Sequence, residues 1–118
     1  MSLEKDAQEV FERLKVELVE WGFPTNCCKI AVVEVHRRGY GIISGLVMVD
    51  NYCGMGTTFE WPHYWNHDPV TDTDFNITAS QFNIHIKDKK MPEIMKWGAG
   101  ENPYFKAIKR NISPDYVF

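Results

Sequence analysis

The chain lacks a long apolar run, an excess of positive charge and an even set of cysteines, and each absence removes a class of protein. No stretch approaches the roughly 20 consecutive apolar residues needed to span a bilayer, so no membrane role is expected. Lys and Arg number 13 against 16 Asp and Glu, a net charge of -3. That balance leaves no basic footprint for nucleic acid or an anionic membrane surface. The opening "MSLEKDAQEVFERL" is charged from Glu4 onward, which does not fit a secretory leader. A cytoplasmic location with reduced thiols is therefore expected. Three cysteines, with Cys27 and Cys28 adjacent, make a poor disulfide framework and leave at least one thiol to explain. Internal repeats and low-complexity segments are also missing.

What remains is an ordinary globular composition in 118 residues, with length for one domain. Four Trp and seven Phe supply much of the bulk that so small a core needs. Ser2 suits an N-cap, and Ala7, Val10, Phe11, Leu14, Leu18 and Trp21 recur at helical spacing until Gly22. "CCKIAVVEVHRR" reads as a second helix closed by Gly39, although its β-branched content leaves a strand open. "GIISGLVMVD" is apolar on both faces, as a central strand requires. "FEWPHYWNH" reads as a strand whose first part Pro62 confines to an edge or a strand start. Trp61, His63 and Trp65 share one of its faces by alternation.

"DPVTDTD" is a turn and "FNIT" a short strand. Thr78 and Gln81 have capping-box spacing, which predicts a helical turn in "TASQF". "NIHIK" is expected as a further strand, and "PYFKAIKR" as a short helix. Helices followed by hairpin-spaced strands favour an α+β fold with an antiparallel sheet.

A cysteine at a helix start meets unpaired N–H groups and the positive end of the helix dipole, both of which favour the nucleophilic thiolate. Cys28 lies in phase with Ala31, Val32 and Val35, the stripe expected to face the sheet, whereas Cys27 lies nearer Glu34 and Arg38. Cys28 is thus the expected nucleophile and His63 its base, with Trp61 and Trp65 excluding water on either side. Asn76, on a neighbouring strand, offers an oxygen to accept the second ring N–H and aim the imidazole.

"FPTNCCKIAVVEV", "HYWN" and "FNITASQF" together resemble small bacterial members of the papain-like cysteine peptidase superfamily, the transglutaminase-like group. The matched positions are Cys28 with Ala31, then His63, Tyr64 and Trp65, then Asn76, Ile77, Thr78, Gln81 and Phe82. The last set stands where that group has Asp-hydrophobic-Thr-x-x-Gln-Phe, with Asn76 in place of the acid. Lys29 and Ile30 depart from the small or acidic residues common after the cysteine.

The resemblance spans Phe23 to about Ile86 and implies a papain-like core, N-terminal helices packed on an antiparallel sheet. It divides a single domain of residues 1–118 into an N-terminal helix (1–22), a catalytic core (23–86) and a C-terminal extension completing the core (87–118). It implies a hydrolase or acyltransferase acting on an amide, ester or thioester through Cys28, His63 and Asn76 and a covalent acyl-enzyme. The partner would be a peptide, protein or small acyl substrate, with no metal or organic cofactor. The oxyanion would meet the Cys28 N–H and a donor from Asn26 or its neighbours, with Cys27, Trp61 and Trp65 as further groove candidates.

Blander readings accompany these. A helix-start cysteine is often a buried small hydrophobe, and a strand histidine a hydrogen-bonded core residue. Adjacent cysteines are poor zinc ligands, and "DPVTDTD" lacks the glycine and distal Glu of a calcium loop. The alternative function is a non-catalytic interaction module on the same fold with a residual triad.

Overall fold

A computed structural model describes residues 2–25, 27–50, 54–86, 90–98 and 102–117. Helix α1 (Leu3–Glu17) starts where the Ser2 hydroxyl accepts the Lys5 N–H at 3.2 Å. A 3₁₀ turn, Val19–Trp21, follows, and Gly22 at φ 78° ends it. Helix α2 (Cys28–His36) settles the helix-or-strand ambiguity of that segment in favour of the helix. Gly39, at φ 100°, turns the chain into the sheet.

The strands are β1 (Gly41–Val49), β2 (Phe59–Asp68), β3 (Thr73–Asn76), β4 (Met95–Gly98) and β5 (Phe105–Lys109). They form one antiparallel sheet in the order β4-β3-β2-β1-β5. β1 is apolar on both faces because it lies inside the sheet and is covered on both sides. On one face α1 and α2 bury Val10, Phe11, Leu14, Ala31 and Val35 against Tyr40 and Phe75. On the other, Ile43, Val47, Trp65 and Phe105 pack with Phe82 and Met91.

β3 pairs with β2 only at Asn66, His67 and Asp68. Pro62, in the first part of β2, therefore has β1 on one side and, among the described residues, no paired strand on the other, as the proline requires. No helix among the described residues is long and apolar enough to cross a membrane.

Two expected elements are different. "NIHIK" is not a strand: Asn83, Ile84 and His85 continue a 3₁₀ segment, Ala79–His85. Asn83 is taken out of strand pairing by bonding both backbone groups of Met91, at 2.7 and 2.8 Å. "PYFKAIKR" is not a helix: Phe105–Lys109 pairs with β1, placing Phe105 in the core and leaving Ile108 exposed.

Candidate active site

Three elements converge at the open edge of β2. Cys28 is the first residue of α2, His63 lies in β2, and Asn76 ends β3. Cys28 and His63 line one groove of about 710 Å³, together with Lys29, Trp61, Gln81 and His85. They do not meet face to face across the helix–sheet interface. Tyr64 packs toward Val32 of α2, so alternation turns His63 to the opposite face. The thiol reaches the groove around the unpaired edge of the strand, where the Tyr64 backbone N–H faces the sulfur.

Burial pushes the Cys28 thiol up, opposed by the Tyr64 N–H and by Lys29. No hydrogen bond joins Cys28 Sγ to the His63 ring among the described residues. Cys28 remains partly exposed, whereas Cys27, the N-cap, is 1% exposed and lies off the groove. Burial pushes the Cys27 thiol up as well. Asn26 lies outside the described residues, as does Cys53.

The imidazole sits in an aromatic cage. Phe82 meets it edge-on at 4.8 Å between centroids, and Phe105 and Trp65 lie at 5.9 and 6.2 Å. At 2% exposure the charged ring is disfavoured, and burial pulls its pKa from 6.5 to about 3. The ring rests neutral. Trp65 is a core wall rather than a groove wall, its Nε1 donating to Asp74 Oδ2 at 3.3 Å. Asp74 also receives both Arg110 guanidinium nitrogens, at 3.1 and 3.0 Å, and so braces the strand that carries Asn76. Trp61 does line the groove, stacked on His85 at 5.2 Å and on Phe59 at 5.7 Å.

Asn76 approaches His63 Nε2 at 2.5 Å, but through its Nδ2. Its Oδ1 is taken by Thr78, whose backbone N–H and Oγ1 both donate to it, at 2.8 and 2.9 Å. The expected contact, amide oxygen on ring N–H, is replaced by amide NH₂ on a ring lone pair. An oxygen facing the ring would have favoured its protonated form, whereas an NH₂ offers that form no acceptor; burial, the largest influence on the ring, sets the direction of its shift.

Thr78 is also the reason the capping box does not form. Its hydroxyl serves Asn76, and no side-chain bond caps the 3₁₀ segment that follows. Phe105 was not among the expected residues, and Thr78 and Phe82 were expected only as matched positions of the third segment, with no role in the site. The signal for Thr78 was the Asn-x-Thr spacing, which suits an Asx-type turn back onto the chain. Gln81 carries a buried Nε2 with no hydrogen-bond partner on a residue lining the groove. No cluster of three or more metal-ligating side chains occurs among the described residues. No protein-family model, curated protein or solved structure matches the chain.

Proposed function

We propose that the protein is a thiol-dependent hydrolase or acyltransferase with Cys28 as nucleophile, acting on an amide, ester or thioester. The observation that carries this reading is the shared groove: a half-buried cysteine at a helix start and a histidine bound to a third side chain open into the same space. The papain-like resemblance of the three segments supports the same assignment.

In the reaction, His63 would take the thiol proton through Nδ1, the nitrogen that Asn76 does not occupy, which requires the tautomer whose own proton is on Nε2. Sulfur bonds to the substrate carbonyl carbon, and its oxygen gains the electron pair. Among the described residues, the Cys28 N–H at the start of α2 and the unpartnered Gln81 amide are candidate donors to that oxyanion. Collapse breaks the bond to the leaving group, which takes the proton from His63. Water or an amine then releases the acyl group from sulfur. The groove offers Trp61, Phe82 and Lys29 and, among the described residues, no carboxylate, which suits a neutral or anionic acyl portion with apolar surface.

A second reading, a non-catalytic interaction module, is favoured by the Asn76 NH₂ facing Nε2 and by the lack of a Cys28–His63 bond. Alkylation near neutral pH separates the two. Iodoacetamide should label the wild type and Cys27→Ala at Cys28, and Cys28→Ala should lose that label. Labelling at Cys27 or Cys53 with Cys28 inert removes the enzyme reading.

A further inference from the structure

We infer that Thr78 is the positioning residue that decides which His63 nitrogen carries the proton, keeping it on Nδ1 and leaving Nε2 bare at rest. The inference rests on the reading of Cys28 and His63 as nucleophile and base. A backbone N–H can only donate, so the Asn76 atom 2.8 Å from Thr78 N must be the amide oxygen. The hydroxyl of Thr78 occupies the same oxygen at 2.9 Å. Reversing the amide would bring its NH₂ against that N–H in a site where Thr78 and Asn76 are 1% and 2% exposed, with no solvent to relieve it.

The end of Asn76 that reaches His63 is thereby the donor, and Nε2 must present a lone pair. A neutral imidazole has one N–H, which is left to Nδ1. The consequence falls on Cys28. With Nε2 engaged, Nδ1 is the nitrogen through which the thiol would be deprotonated, and it already holds a proton. The site rests idle, able to donate to sulfur but not to accept from it. An aspartate at position 76 would change this, because a carboxylate accepts on both oxygens. One would keep the two Thr78 donors; the other would take an Nε2–H, freeing the Nδ1 lone pair.

The test is ¹⁵N-detected histidine NMR on the intact chain near neutral pH, comparing wild type with Asn76→Asp and Thr78→Val. Wild type should show His63 Nε2 with a pyridine-type shift and Nδ1 with a pyrrole-type shift. Thr78→Val keeps the backbone N–H and should keep that pattern. Asn76→Asp should invert it, and should speed iodoacetamide labelling of Cys28 by about tenfold, the equivalent of one pKa unit from a nearby carboxylate. A protonated Nε2 in the wild type overturns the inference, and that spectrum decides even if a variant fails to fold. The same pattern in wild type and Asn76→Asp overturns it too. The expected tautomers with an inert Cys28 in both proteins would uphold the inference while removing the proposed function.

Discussion

A Gly45→Ala substitution would place one methyl carbon 2.3 Å from Lys106 O, 2.3 Å from Trp65 Cη2 and 2.9 Å from Trp65 Cζ3. None of these neighbours can give way easily. The carbonyl belongs to the backbone of β5, beside the register shift between Ser44 and Gly45. Trp65 is 1% exposed, pressed on Phe105 at 5.4 Å and tied to Asp74. Gly45 also stands directly across the ladder from His63, so any shift of Trp65 reaches the imidazole.

Overpacking of this kind costs about 1–3 kcal/mol, and a backbone obstacle argues for the upper end. With about 2.1 cal/mol/K of unfolding entropy per residue, a chain of 118 residues loses about 12 °C of Tm for about 3 kcal/mol. Thermal unfolding followed by far-UV circular dichroism reads this directly, and the near-UV spectrum should lose Trp65 intensity. Gly41→Ala is the internal control. The nearest atom there is Asn111 Oδ1 at 2.8 Å, the end of an exposed side chain that can turn away. A Gly45→Ala loss under about 4 °C, equivalent to about 1 kcal/mol, with the near-UV spectrum intact would refute the packing of Trp65 over Gly45.

Two further outcomes follow from the buried ionisable groups. His63 has its pKa pulled from 6.5 to about 3, so on acidification the unfolded chain binds a proton that the folded chain refuses. Its contribution is complete above pH 6.5 and is lost down to about pH 3, at about 1.4 kcal/mol per pH unit. Urea unfolding at about pH 7 and about pH 5 should differ by about 2 kcal/mol more in wild type than in His63→Leu, and equal differences would exclude a neutral buried ring. Asp6 behaves likewise in a lower window. The Tyr40 hydroxyl at 2.5 Å and the Arg38 guanidinium at 3.1 Å hold its carboxyl below the ordinary 3.8. Stability from that pair is present above pH 3.8 and is lost as the pH falls through the depressed value. Tyr40→Phe should remove about 1.5–3 kcal/mol near neutral pH and less at about pH 2, as measured by urea unfolding.

The elements legible in the sequence were those where local chemistry and tertiary demand agree. Ser2 and the apolar stripe of α1 describe a capped, one-sided helix, and Pro62 marks the open edge of β2. β5 was misread because Tyr104, Phe105, Ala107 and Ile108 are compatible with either period. The free edge of β1 decides it, through pairing that no local window contains. "NIHIK" alternates like a strand, yet Ile84 points to solvent and Asn83 is committed to Met91.

The candidate site divides in the same way. Cys28, His63 and Asn76 were visible as residue types in a recognisable order, and Asn76 does bond to His63. The orientation of its amide was not visible, because it depends on where the Thr78 N–H points once β3 ends. Nor was the turning of His63 away from α2, which follows from the phase of β2 on the sheet.

The open edge of β2 bears on self-association. A strand edge that, from Pro62 to Tyr64, pairs with no other described strand is a template on which another chain's strand could grow. Alternate residues along such an edge direct their N–H groups outward. Pro62, opposite Leu46 in the ladder, has no N–H to offer, and two residues on, Tyr64 turns its own toward the Cys28 sulfur. Two successive rungs are thus withheld from any incoming strand. The groove can stay open to solvent without also serving as a seed for aggregation.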